Sequence, residues 1–442
     1  MHVAMLPRLT KGGRVVRKLV GGLFVALVVW FAATPSANAE GEQITGFVRN
    51  QTTKDGKSVR EPVPNVKIAF STADGKSIGV VTTDAKGGYT QPVPGPGGYI
   101  AEIDQSSLPK GVALANASQA KLTVTVAPGG SQILNYFLGK DTRSTKGRWG
   151  ILPQTLANGV KSSMIIAVCA VGLSLIYGTT GLSNFAHGEL VTLGAIVAWN
   201  MNQQVGLHVL LAAPIGIAAA AIAGLGNERL LWRPLRHKGT SLTSMMIISI
   251  GLGIGVRYIY LFFFGGRAKA FREYAVQKAH DFGPFSLTSR DLVTIGLCLV
   301  LLVAFAMYLL RTRMGKAIRA VSDNPDLASA TGIDADHVIL LVWGLGGALA
   351  GLGGILLGLD QQVRWDSGFS LLLLMFAAIT LGGLGNPFGA LAGAFVIGMF
   401  VELWTWIFPS VIELKTLGAL ATLILVLLVR PQGLLGRKER TG

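Results

Sequence analysis

Two kinds of hydrophobic patterning divide the chain. Between residues 40 and 142, apolar residues come in short alternating runs, such as Val66-Lys67-Ile68-Ala69-Phe70 and Leu122-Thr123-Val124-Thr125-Val126. Turn clusters separate them: Asp74-Gly75, Lys86-Gly87-Gly88 and Pro94-Gly95-Pro96-Gly97-Gly98. Alternation of this kind marks strands with one buried face, and regularly spaced short strands predict a small all-β sandwich. From residue 151 onward the apolar residues instead run together in stretches of roughly 20, the length that crosses a hydrocarbon layer about 30 Å thick. About nine spans are predicted, at 156–177, 189–202, 208–231, 242–264, 291–310, 335–358, 370–384, 388–408 and 414–429. The second and seventh are short and lie beside Gly and polar residues. Such segments mark broken helices, whose freed backbone is buried in protein or lines a water-filled pathway. The fold class is therefore a polytopic all-α membrane domain (151–442), some of its spans broken, preceded by the β-sandwich (40–142) and a polar linker (143–150).

Residues 1–39 have the form of a secretory signal. Arg8, Lys11, Arg14, Arg17 and Lys18 precede an apolar run over 19–33, and Ala37-Asn38-Ala39 supplies a cleavage site. The β-sandwich is thereby expected outside the cytoplasm.

Composition sharpens this picture. The 442 residues are 50% hydrophobic and only 14% charged, with a mean hydropathy of +0.51; soluble domains carry about 25% charge. The net charge of +16 does not point to nucleic acid, because the basic residues sit mainly at the ends of apolar runs and act as topology determinants. Starting from an external β-domain, alternation places the basic segments 229–238, 311–319 and 430–440 in the cytoplasm, together with the C-terminus. Loop 265–290, with Arg267, Lys269, Arg272 and Lys278, is the exception, falling on the outside against the positive-inside bias; it also holds Glu273 and Asp281 and is long enough to fold over the outer mouth. The two cysteines, Cys169 and Cys298, lie inside spans, which argues against a disulfide scaffold or a Cys-based metal site. The triplets Gly56-Lys57-Ser58 and Gly75-Lys76-Ser77 are not phosphate-binding loops, since Gln51 and Phe70 stand where the earlier glycine is needed.

Three groups of residues carry candidate chemistry. Gly181-Leu182-Ser183-Asn184-Phe185-Ala186-His187-Gly188-Glu189-Leu190 joins the first two spans. Polar groups at membrane depth are costly without partners and therefore suggest function. Asn184 and His187 can bond neighbouring backbone and hold a re-entrant turn, and Glu189 falls near a helix start, where the dipole favours an anion. The second group is the loop 311–332. Asn324 before Pro325 fits a helix cap followed by proline at the first helical position, and Gly332 ends that helix. Two short amphipathic helices, carrying Gly315, Arg319 and Ala328, thus form a compact basic segment suited to docking on a partner. The third group is two near-copies, Gly347-Ala348-Leu349-Ala350-Gly351 and Gly389-Ala390-Leu391-Ala392-Gly393, whose GxxxG spacing lets helices approach closely. No catalytic or metal-binding constellation is visible. Glu402 is the main intramembrane acid, which weighs against an ion-coupled secondary transporter. His187-Gly188-Glu189 is not HExxH.

The segments 184–189, Glu228-Arg229, Arg233-Pro234-Leu235-Arg236, 315–319, Asn324-Pro325, Gly332-Ile333 and Leu381-Gly382-Gly383-Leu384-Gly385 together resemble the branched-chain amino-acid ABC permease family, its H-type (LivH-like) subunit more than the M-type. The β-domain resembles carboxypeptidase-regulatory-like modules through Pro62-Val63-Pro64-Asn65-Val66, Thr82-Thr83-Asp84-Ala85-Lys86-Gly87-Gly88-Tyr89 and Pro96-Gly97-Gly98-Tyr99. The permease resemblance covers about residues 151–440. It implies a plasma-membrane importer of branched-chain or related amino acids, with a second, M-type permease, two ATPases and an external solute-binding protein as partners. ATP would be hydrolysed at the ATPases, and this chain would bind no cofactor. The segment 314–332 would be the coupling segment. Urea-type permeases of the same family are the alternative. The signal and β-domain depart from typical members.

Overall fold

The computed structural model describes residues 42–54, 57–109, 112, 114, 120–126, 131–138, 148–272, 279–409, 414–429, 433 and 434. The proposed signal, most of the linker and the basic tail 435–440 lie outside them. The described residues fall into two compact units, one of strands ending at Leu138 and one of helices beginning at Arg148.

The strand unit is a two-sheet sandwich. In one sheet β1 (Gln43–Lys54) pairs antiparallel with β2 (Lys57–Pro62) and β5 (Gly88–Pro92), and parallel with β8 (Ser131–Ile133) and β9 (Tyr136–Leu138). The other has the order β4 (Ser77–Thr82), β3 (Lys67–Thr72), β6 (Gly97–Ile103), β7 (Lys121–Val126), all antiparallel. The alternation in sequence is what seats them. Ile68 and Phe70 face inward while Lys67 and Ala69 face water, and Ile44, Val48, Tyr99, Ile103, Tyr136 and Leu138 complete a core drawn from both sheets. Tyr136 Oη donates to Ala101 O at 2.8 Å, tying one sheet to the other. Gly75-Lys76-Ser77 is the β3–β4 turn, with Gly75 at φ +85°.

In the helical unit each predicted span is matched by a helix: α1 (Arg148–Thr180), α2 (His187–Gln203), α3 (Val209–His237), α4 (Leu242–Phe264), α5 (Ser289–Arg311), α8 (Ala335–Gln361), α9 (Ser367–Gly382), α10 (Pro387–Ile407) and α11 (Lys415–Val429). Between α5 and α8 lie the short helices α6 (Arg313–Asp323) and α7 (Pro325–Ala330). Among the described residues six helices are long and apolar enough to cross a membrane: α1, α3, α4, α5, α8 and α10. The third span runs past residue 231 because a π turn over Glu228–Trp232 carries the helix on to His237. Helices α1 and α8 form the centre, and α4 and α5, far less covered, lie at the periphery. Loop 265–290 contains a hairpin of β10 (Ala279–Asp281) and β11 (Ser286–Thr288).

The two short predicted spans are α2, of 17 residues, and α9, of 16. At 1.5 Å per residue each is roughly 25 Å long, less than a bilayer core. They meet at their N-terminal ends. A Cβ on Gly188 would stand 2.6 Å from Gly368 O, Gly368 N donates to Thr192 Oγ1 at 2.9 Å, and Phe185 stacks on Phe376 with ring centroids 4.7 Å apart. Only glycines at 188 and 368 permit this approach.

Candidate functional site

The segment before α2 re-enters the bundle as a turn. Asn184 Oδ1 accepts from Ala186 N at 3.0 Å, and Phe185 N donates to Ser249 Oγ on α4 at 3.0 Å. Asn184, His187 and Glu189 are all buried, at 0, 0 and 3% exposure. Asn184 holds the turn as its sequence suggested. His187 is buried with its imidazole against the Cys169 backbone of α1, although neither ring nitrogen reaches full hydrogen-bond geometry among the described residues. Glu189 sits in the first turn of α2 and is met by a residue that the sequence reading did not single out. Arg257 of α4 donates from Nε and Nη2 to Glu189 Oε1, both at 3.1 Å, while its guanidinium lies 3.6 Å from the centroid of the Phe369 ring on α9. Tyr260 Oη donates to Glu189 O at 3.0 Å. The α2 start is thus clamped to α4 and α9 together. A lone Arg inside the apolar run 242–264 was the signal that could have revealed it.

A second set of charges corrects the expectation that Glu402 is nearly alone within the spans. Lys161 of α1 reaches Asp360 of α8 at 2.5 Å and Asp291 of α5 at 3.1 Å, with Arg290 alongside. Asp291 also closes the capping box of α5, accepting from Thr288 N and Oγ1 at 3.0 and 2.7 Å. In sequence these residues fall at span edges and look solvated; folding brings three helices to one buried ion cluster. Glu402 accepts from Ser162 Oγ at 3.0 Å.

The basic segments gather at the opposite end of the bundle. Arg236 binds the fully buried Glu228 through two hydrogen bonds of 3.0 and 2.5 Å, and Arg233 reaches Asp336 of α8 at 2.8 Å. This places 229–238 beside the start of α8 and the α6–α7 segment. There Thr312 caps α6 by accepting from Gly315 N at 2.9 Å. Gly315 packs so tightly under the end of α5 that a Cβ would meet Tyr308 O at 2.5 Å. Asn324 caps α7, accepting from Leu327 N at 2.9 Å, and Pro325 opens that helix. Ala328 is buried, and Gly332 takes φ +91° just beyond the helix end. Leu327 is left 63% exposed. Lys316 and Arg319 line a cleft of about 820 Å³, whose other walls are the end of α1 (Tyr177, Gly178) and the start of α10 (Asn386, Phe388).

The near-copied glycine motifs are both contact surfaces. A Cβ on Gly347 would stand 2.5 Å from Ala220 O of α3, and one on Gly351 2.6 Å from Ala220 Cβ. Gly389 closes on Gly382, and Gly393 on Ala378, so the second motif seats α10 against α9.

Residues 155–427 match the family described as branched-chain amino acid transport system / permease component. The chain belongs to this family. The high-affinity branched-chain amino acid transport system permease protein LivH of Salmonella typhimurium is 32% identical over 300 residues, covering 65% of this chain and 96% of that one. The probable branched-chain amino acid transport permease protein LivH of Methanocaldococcus jannaschii is 31% identical over 293 residues, 64% of this chain and 91% of its own. LivM of Escherichia coli is 27% identical over 300 residues, covering 62% and 68%. The permease match takes in the α2 start, the α6–α7 segment and both glycine motifs. The β-sandwich precedes it.

Proposed function

We propose that this permease is the H-type membrane half of an ABC importer for branched-chain or related amino acids, working with an M-type permease, two ATPases and an external solute-binding protein. The observation that carries the reading is the family match with the capped α6–α7 segment inside it. Each of its two helices is capped, α6 by Thr312 and α7 by Asn324 with Pro325, and the segment presents the exposed Leu327 on α7 and Lys316 and Arg319 on α6 along a cleft. We take Leu327, held out on this capped helical element within the family match, as its docking contact. Closure of the ATPases on ATP pushes this segment, and the push passes to the start of α8 and the end of α5. The helices then rock about their close-packed glycine contacts, and solute passes inward. This chain supplies path and coupling and no covalent chemistry.

Orientation follows from the same end of the bundle. The clustering of 229–238 with 311–336 puts their basic residues on one side, which the positive-inside bias assigns to the cytoplasm. The β-sandwich then lies outside. A family relative that moves urea or another amide is the second reading, since solute choice in such systems rests with the external binding protein.

Affinity purification of the intact complex from membranes tests the assembly. Two ATPase chains and a second permease should co-purify. A chain recovered alone, with no nucleotide-binding partner, would refute it.

A further inference from the structure

A cleft of about 210 Å³ enters the helical unit between α1, α8, α9 and α10, at the end of the bundle away from the α6–α7 segment. It is smaller than the roughly 300–1,000 Å³ of pockets for drug-sized ligands, so it suits one small solute. Its lining is divided. Ile166, Leu371 and Val401, all buried, form an aliphatic wall. Glu402, Asp360, Arg364, Ser162 and Ser370 supply the polar side.

The charges there are partnered unequally. Asp360 is taken by Lys161 at 2.5 Å. The Glu402 side chain lines the cleft and accepts from Ser162 Oγ, on its Oε1, at 3.0 Å, with no cation paired to it among the described residues. Arg364 holds Asp366 through Nε and Nη2 at 3.0 and 2.9 Å, which leaves Nη1 to donate elsewhere. The Glu402 and Asp360 carboxylates and the Arg364 guanidinium thus border a single small cavity with an aliphatic wall, and of the two carboxylates Asp360 is held by Lys161. The backbone adds an independent sign. Gln362, on the cleft wall, has φ +70° and ψ 157°, a region populated essentially by glycine. Strain of this kind, of order 1–3 kcal/mol, persists where the surrounding structure enforces it, and it concentrates at ligand sites. Here Lys269 and Val363 exchange backbone hydrogen bonds of 2.9 and 2.8 Å that hold the strained turn in place. The cleft also adjoins the N-terminal end of the short helix α9, and discontinuous helices of this type border substrate sites in other transporters.

We propose that this cleft is a binding site for one zwitterionic aliphatic α-amino acid, with Glu402 accepting from the ammonium group, Arg364 donating to the carboxylate and the Ile166–Leu371–Val401 wall receiving the side chain. The proposal rests on the amino-acid importer reading and deepens it by placing a solute station inside the permease itself. A solute released from outside would pause here with both charges matched before it passes the α2–α9 contact.

The test uses the intact complex in nanodiscs, without solute-binding protein. Binding of L-[³H]leucine is measured directly, and 4-methylpentanoate, which lacks the ammonium group, is measured as a competitor. The same system in cells is assayed for leucine uptake. Wild type should bind leucine saturably and at least about tenfold more tightly than 4-methylpentanoate, the range expected for a charge-assisted hydrogen bond. Glu402→Gln, which keeps the shape, should bring the two affinities together. Leu371→Trp, which fills the cavity, should abolish binding of both. Leucine uptake in cells with no saturable binding to the complex, or an unchanged leucine preference in Glu402→Gln, would overturn the site and leave the importer reading standing. A wild-type system that imports no leucine would overturn both.

Discussion

The Glu189–Arg257 pair can be taken apart one partner at a time. Both side chains are largely buried, at 4% and 14% exposure, and Arg257 is shared between the α2 start and the Phe369 ring. Arg257→Leu leaves a carboxylate inside the bundle with no cation on it. Stranding one member of a buried pair costs about 3–5 kcal/mol, and loss of a desolvated cation–π contact adds about 1–2 kcal/mol. The double variant Glu189→Gln/Arg257→Leu removes the stranded charge and should recover most of the first figure, leaving a deficit near the second. Thermal unfolding of the purified permease in detergent, followed by tryptophan emission, reads the difference, since Trp199 packs on the neighbouring Phe264 with ring centroids 5.0 Å apart. The single variant should melt well below wild type and the double variant between them. Equal melting of the single and double variants would refute the argument, because it would show that Glu189 finds another partner or does not need one.

The remaining predictions concern other parts of the chain. Gly347→Val drives a side chain into Ala220 O of α3 and should destabilise by about 1–3 kcal/mol, whereas Gly332→Ala, at φ +91° in open space, should cost only about 1–2 kcal/mol of backbone strain; melting of the two variants checks the order. Leu327→Asp should leave insertion and melting unchanged while lowering solute-stimulated ATP hydrolysis of the complex severalfold or more, and unchanged hydrolysis would remove Leu327 from the coupling contact. In the β-sandwich, burial raises the phenols of Tyr89 and Tyr136 well above their ordinary value of 10. A raised folded value means that their contribution is whole below pH 10 and is lost as pH climbs beyond it, so alkaline unfolding of the strands, followed by far-UV circular dichroism, should shift to higher pH in Tyr89→Phe.

Element positions were legible because one force dominates them. Apolar runs must cross or be buried, so nine spans could be located, although α1 starts at Arg148 and not at residue 156 and α3 runs to His237 and not to 231, and the Asn324-Pro325 cap was readable because capping is local. The site was less legible, for two physical reasons. Ion pairs are long-range in sequence: Lys161 and Asp360 are 199 residues apart, and nothing near either names the other. Packing can also silence a polar side chain. His187 looked like an anchor for neighbouring backbone, yet its ring lies against the Cys169 backbone on α1 and neither nitrogen reaches full hydrogen-bond geometry among the described residues. The extension of α3 from residue 231 to His237 escaped notice because Arg233, Pro234 and Arg236 end the apolar run, whereas the helix continues through a π turn and Arg236 binds the buried Glu228.

The central claim, ATP-driven import through this chain with its partners, is tested most directly by reconstitution. The purified complex is placed in proteoliposomes with its solute-binding protein and radiolabelled leucine on one side and ATP on the other. The account predicts uptake against a gradient that requires ATP hydrolysis, is insensitive to ionophores, and falls in Leu327→Asp. Uptake that proceeds without ATP and collapses with an ion gradient would contradict it.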